Sequence, residues 1–341
     1  MNREQKLALL AAAFIVLTPI SAPSAQPPHA APKADLLVAG LQGSLGSAVG
    51  PDGALYIAES SAGRISRVNP NTAEITTFAS GLPKSTFHFA SPVDVAFIGD
   101  TAYALVILVS PDAGGTGIDG IYRIDGPNSF TIVANLGRWS IAHPPKTAFF
   151  VPSGAPYALE PYRGGFLVTD GHLNRVLWVT VDRCMTSAPE DDRNIRELIA
   201  FDDIVPTGLA VAGNTIYMAE AGPVPHLPKD GKVVEFGFRS PTASEVASGA
   251  RLLVDVEFGP RHQLYALAQG VWAGQQPGDP ALPNTGSLVE VNEDGGFDVI
   301  VDHLDRPTSL EFIGNTAYFV SLAGEVWKIE DVSCRRHHHS H

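Results

Sequence analysis

Five segments of the chain repeat one phrase. SAVGPDGALYIAES (47–60), VAFIGDTAYALV (95–106), LAVAGNTIYMAE (209–220), VEFGPRHQLYALAQ (256–269) and LEFIGNTAYFVS (310–321) each read as an apolar strand, a tight turn and a second strand around an aromatic residue. ALEPYRGGFLVTD (158–170) is a sixth, weaker copy. The turns carry Gly99-Asp100, Gly213-Asn214 and Gly314-Asn315, and Gly beside Asn or Asp reaches positive φ cheaply, as a tight hairpin requires. A third strand follows each copy, for example GRISRV (63–68), NRVLWV (174–179) and GEVWKI (324–329), and a fourth follows in all but the last. Leu36-Leu37-Val38, ahead of the first copy, supplies that missing strand. Tyr56, Tyr103, Tyr217, Tyr265 and Tyr318, with Leu167 at the sixth place, recur about every 52 residues. Six four-stranded units at this period specify an all-β chain, a six-bladed β-propeller whose ring the N-terminal strand closes. A β-sandwich does not account for six similar units.

Composition agrees. Gly (33) and Pro (27) are abundant beside a 45% hydrophobic content, and only 17% of residues are charged, which excludes general disorder. The net charge is −13, without a cluster of Lys and Arg to replace phosphate counterions, so nucleic acid is excluded as a partner. Residues 1–25 read as a signal peptide: Arg3 and Lys6, an apolar run Leu7–Ile20, then the small residues of SAPSA. The run is short for an uncleaved membrane anchor. The organisation expected is therefore signal peptide (1–25), linker (26–33), one propeller (34–333) and a His-rich tail (334–341). The product is a secreted or periplasmic monomer without membrane insertion after cleavage. The tail RRHHHSH is either a loose metal chelator or a cloning remnant. Cys184 and Cys334 fall on opposite sides of the ring, so no disulfide between them is expected.

The phrasing GPDGALYIAES (50–60), FLVTDGHLNRVLWV (166–179), PTGLAVAGNTIYMAE (206–220) and GSLVEVNEDG (286–295) resembles the ScyD/ScyE family, over roughly residues 34 to 330. Those are secreted proteins named for the scytonemin biosynthesis cluster of cyanobacteria, related to NHL-repeat and gluconolactonase-like propellers. The resemblance implies a six-bladed propeller outside the cytoplasm and brings no assigned activity.

In a propeller, the loops joining strands two and three, and strand four to the next blade, share one face. The long segments Lys84–Ser91, Leu108–Asp119, Gly137–Ala155, Ala221–Asp230 and Gly270–Asn284 all belong there, and Asp182–Asn194 is the main exception on the other face. Long loops on one side of a rigid scaffold are a usual place for binding, although single loops also grow without function. His88, His143, His172, His226 and His303 map to the same face, from different blades.

The first strands of the blades line the central channel. Aligning them puts Asp94 and Asp255 in one column with Gly46, Ala158, Gly208 and Ser309. Glu160, Glu257 and Glu311 share the column two residues on, on the same side of the strand. These carboxylates either bond backbone and channel water or hold a divalent cation through oxygen ligands. Thr207, Glu220 and Thr308 belong to the same candidate ligand-binding set, as do Asp170, His172 and Asn174 in the turn DGHLN. An Asp–His pair is suited to acid–base work, but the same residues make an ordinary turn.

No complete catalytic set is present, neither a G-x-S-x-G elbow nor H-E-x-x-H. The preferred reading is a non-catalytic propeller that binds a small molecule or an exported protein through its loop-rich face. The alternative is a metal-dependent, lactonase-like hydrolase with a cation at the channel mouth. Similarity to gluconolactonases implies Pro-Asn-Gly where this chain has Pro206-Thr207-Gly208, and the family's early Glu is not filled.

Overall fold

The computed structural model describes residues 32–85, 91–274 and 276–333. They form six four-stranded antiparallel sheets, the blades of a six-bladed β-propeller. The innermost strands are Ser44–Val49, Asp94–Ile98, Pro156–Tyr162, Pro206–Ala212, Leu253–Phe258 and Pro307–Ile313. The strand Ala34–Ala39 pairs antiparallel with Glu325–Ile329 and completes the sixth blade. First and last parts of the chain thus share one sheet, and no inner edge stays open.

The repeated tyrosines pack the blades together. Tyr56 meets Phe97 of the next blade at 4.7 Å between ring centroids, Tyr103 meets Phe166 at 5.0 Å, Tyr217 meets Phe258 at 5.3 Å and Tyr265 meets Phe312 at 5.0 Å. Three of these pairs are edge-to-face and the last is tilted. Each such pair contributes about 0.5–1.5 kcal/mol beyond its area burial. Leu167 replaces the ring in blade three and lies in a core with Tyr162, Met218 and Phe236.

The pairing of first with second strand shifts register near the loop-rich end in five blades, at Ser44/Ser47, Pro156/Leu159, Pro206/Leu209, Leu253/Asp255 and Pro307/Ser309. Bulges of this kind re-aim side chains, and these fall where the channel columns begin. Because Ala34 lies opposite Ile329, the chain enters and leaves the propeller on the short-turn face. The loop-rich face is the other one.

The segment after strand Arg175–Thr180 departs from the short-turn pattern. Arg123 Nη1 donates to the carbonyls of Arg183 (2.7 Å) and Met185 (2.8 Å), and Asn194 Nδ2 donates to Val133 O (2.9 Å). Asp192 receives both Nε and Nη2 of Arg138, from the helix Leu136–Ala142. This strap follows blade two from the short-turn side to the loop-rich side. Cys184 lies on it as an exposed free thiol. Cys334, the tail and the signal segment lie outside the described residues, as does His88.

Candidate functional site

The channel encloses a cavity of about 310 Å³, whose lining includes Asp94, Glu160, Asp255, Glu257 and Glu311. Thr308 lines it as well. The two aspartates are stapled alike. Asp94 accepts from its own neighbour Val95 N (2.8 Å) and from Leu159 N of the next blade (2.8 Å). Asp255 accepts from Val256 N (2.9 Å) and from Leu310 N of the next blade (2.7 Å). A Cβ on Gly46 would stand 2.2 Å from Asp94 Oδ1, and one on Gly208 would stand 2.1 Å from Asp255 Oδ1. Glycine therefore occupies that column in the preceding blade. Blades one to three match blades four to six in this respect: glycine, aspartate, then a blade whose strand carries Glu160 or Glu311. Glu257 breaks the match, because Ala96 stands in its place in blade two.

Tyr157 crosses the channel. It comes from blade three, and its hydroxyl donates to Thr308 O (3.1 Å) in blade six, directly across a six-membered ring. Burial and the nearby carboxylates of Asp255 and Asp94 push its hydroxyl pKa up.

Among the described residues, no Lys, Arg or His lines this cavity. Burial raises Glu160 to about 8, reinforced by the charges of Asp94 and Asp255, and raises Asp255 to about 7. Burial also raises Glu257 and Glu311, each pushed further by neighbouring carboxylates, and raises Asp94. The chamber thus favours protonated acids. Among the described residues, no three His, Cys, Asp or Glu side chains group to hold a metal ion. As placed, these carboxylates do not converge on one point, although their oxygens are of the kind a divalent cation takes.

Apart from Thr308, the other sequence candidates sit outside this lining, and most fasten backbone. Asp170 is fully buried, and its Oδ1 accepts from Ala155 N, His172 N and Leu173 N. His172 Nε2 accepts from Phe150 N and Val151 N, both at 3.0 Å. A ring nitrogen with two incoming donors carries no proton of its own, so the imidazole is neutral. Burial accordingly lowers its pKa, only partly opposed by Asp170. Asn174 Oδ1 accepts from Ile204 N and Val205 N. Thr207 donates to Ala219 O and to Leu253 O of the next blade, and Thr308 donates to Leu45 O and Val320 O. Glu220 is buried at the end of its strand opposite Lys232, and burial raises it to about 7.

These bonds lock the long loops in place. Ser153 N donates to Asp112, while Asp119 accepts from Val109 N and Ser110 Oγ. Arg175, fully buried, donates to His143 O (2.6 Å) and lies 4.9 Å over the Trp139 ring, with His143 stacked 4.3 Å from that same ring. His226 Nδ1 lies 3.1 Å from Ala221 O, and Trp272 Nε1 donates to Asp279 O.

With its polar groups engaged this way, the face exposes apolar ones. Among the described residues, ten large hydrophobic side chains are exposed, and seven belong to loops of this face: Ile118, Ile141, Phe149, Phe150, Val224, Leu227 and Leu282. The remaining three, Leu36, Ile75 and Val299, lie on outer strands. Sequence reasoning found the loops but missed these residues. The signal was available at Phe149-Phe150, an aromatic pair in the acid-free stretch 136–155.

Neither a protein-family model nor a curated protein matches the sequence. Solved structures do. A gluconolactonase of Xanthomonas campestris is 12% identical with a TM-score of 0.60, covering 88% of this chain and 89% of that one. Virginiamycin B lyase of Staphylococcus aureus is 14% identical with a TM-score of 0.52, covering 88% and 99%. A putative gluconolactonase is 12% identical with a TM-score of 0.55, covering 89% and 93%. The likeness is one of fold. It agrees with the six-bladed architecture and leaves the chemistry to the residues.

Proposed function

We propose that this is an exported, non-catalytic propeller of the ScyD/ScyE type that binds an exported protein or a small molecule through its loop-rich face. One observation carries the reading: seven of the ten exposed large hydrophobic side chains in the described residues lie on that face. Exposed apolar groups gathered on one side mark interaction surfaces, and the fastened loops hold them without an ordering cost on binding. The repeat phrasing supports the family, and the segment 1–25 supports export.

Site-specific photo-crosslinking in exporting cells tests this. Probes at Leu227 and Leu282 are expected to give discrete adducts, while probes at Thr72 and Asn128, exposed on short turns of the opposite face, give none. Adducts from the short-turn positions alone would overturn the proposal.

The second reading, a lactonase-like hydrolase, draws on the channel. Asp255 at about 7 and Glu160 at about 8 have the proton affinity of general acids near neutral pH. Against it stand Thr207, whose hydroxyl is engaged by two carbonyls, and channel carboxylates that, among the described residues, do not converge on one point. Hydrolysis of simple lactones that depends on added divalent ion and disappears in Glu160→Gln would favour this reading over binding.

A further inference from the structure

We infer that the loop 136–155 is a wedge that docks shallowly on an anionic lipid surface. Its exposed residues run Ile141, Ala142, His143 and Pro144, then Lys146, then Ala148, Phe149 and Phe150. Phe150 is 69% exposed, Ile141 55% and Phe149 40%. The three belong to one loop, and the Phe150 ring also meets the His172 ring edge-to-face at 4.2 Å.

The wedge is preformed. Phe150 N and Val151 N are held by His172, Ser153 N by Asp112 and Ala155 N by Asp170. At the other end Arg138 is clamped to Asp192, and Trp139 is buried between His143 and Arg175. The exposed residues lie between these ties.

Charge selects the partner. Residues 136–155 contain Arg138 and Lys146 and no Asp or Glu, in a chain with 36 acidic residues against 23 basic ones. Arg138 is neutralised by Asp192, and exposed Glu190, Asp191 and Asp112 lie at the base of the loop, which leaves Lys146 as the basic side chain within the exposed run itself. An apolar tip flanked by a cation matches the boundary between acyl chains and anionic headgroups. The exposed side chains carry few directional donors or acceptors with which to read a protein surface. Elsewhere on the face, exposed Asp202, Asp203 and Asp302 repel the same membrane. Contact is thereby confined to this loop, with the propeller tilted on it. The chain enters and leaves the propeller on the opposite side, clear of the contact.

This inference goes beyond the binding of a soluble partner and does not depend on it; cross-links at Leu227 and Leu282 test that reading separately. The experiment is co-sedimentation of the purified protein with vesicles of phosphatidylcholine plus phosphatidylglycerol, beside vesicles of phosphatidylcholine alone. The wild type is expected to sediment with the anionic vesicles and less so with the neutral ones, and to be released by salt. Phe149→Ser and Phe150→Ser each weaken binding on the order of tenfold, Lys146→Glu removes the preference for anionic lipid, and Leu227→Ser with Leu282→Ser leaves binding unchanged. All five positions are exposed, and circular dichroism confirms that each variant is folded. A wild type that stays in the supernatant with both vesicle types would overturn the inference and assign the wedge to a protein surface. So would Phe149→Ser and Phe150→Ser variants that sediment like the wild type.

Discussion

The channel and the loop-rich face use polar side chains in opposite ways. In the channel, five carboxylates share one cavity with no cation in its lining, and burial and mutual repulsion raise their affinity for protons. On the face, Asp112, Asp119, Asp170, His172 and Asn174 accept hydrogen bonds from loop backbone. The loops so fastened expose seven large hydrophobic side chains beside charged ones such as Asp112, Lys146, Asp202 and Asp203. Titratable groups and exposed apolar ones are thus concentrated in different parts of the molecule. The group-rich channel is bridged by Tyr157, while the loop-rich face carries seven of the ten exposed large hydrophobic side chains among the described residues.

Four expectations break or sharpen this contrast. The largest concerns Asp170, which holds three loop amides and provides a nearby negative charge for buried Arg175. Asp170→Ala is expected to cost about 2–4 kcal/mol in urea unfolding, because three loop amides lose their acceptor and Arg175 keeps only Glu197, 3.7 Å away, as a nearby negative charge. Adding Arg175→Met should recover part of that loss; no recovery would mean that Asp170 acts through the loop amides alone.

The channel sets the second. Its carboxylates have folded-state pKa values above the unfolded ones, so the folded state holds protons that the unfolded state releases. That contribution is complete below the unfolded values and is lost as pH rises towards about 7 for Asp255 and about 8 for Glu160. Stability should fall between about pH 5 and pH 8, by on the order of 2 kcal/mol, once water in the cavity is allowed for. Glu257→Gln or Glu311→Gln should flatten the decline in a thermal-melt series, raising Tm at pH 8 and leaving it little changed at pH 5. A decline of unchanged slope in both variants would place the titration outside the channel.

Third, Thr207→Val and Thr308→Val each remove a hydroxyl that ties neighbouring blades, at about 1–2 kcal/mol. Chemical denaturation measures it, and a neutral result would mean that interblade packing alone holds those strands. The smallest effect belongs to the face itself. Leu227→Ser and Leu282→Ser should change stability by no more than about 0.5 kcal/mol. If either destabilises markedly, the exposed groups are structural and the contrast fails.

Much of the fold was legible because it repeats. Six copies of one phrase, a Tyr at equivalent places and an N-terminal strand with no other partner gave blades and closure, and alternation placed Asp94 with Asp255 and Glu160 with Glu311 on the channel side. The rest depends on contacts between distant parts of the chain. Nothing near His172 in sequence says that Phe150 and Val151 donate to it, nor that the strap around Asp192 reaches Arg138. Tyr157 looked like a strand residue, and its reach to Thr308 O depends on which blades stand opposite and on a local register shift. Spacing put five His on one face. Among the described residues they do not converge on a metal, because the blades radiate and carry them apart.

The central claim is that the loop-rich face is built in advance, with its polar side chains committed to loop backbone. Hydrogen–deuterium exchange across residues 150–155 tests it most directly. The account predicts that the amides of Phe150, Val151, Ser153 and Ala155 exchange slowly although they lie outside any strand or helix, and that His172→Ala releases the first two. Exchange of these amides at the rate of an unstructured peptide in the wild type would contradict it.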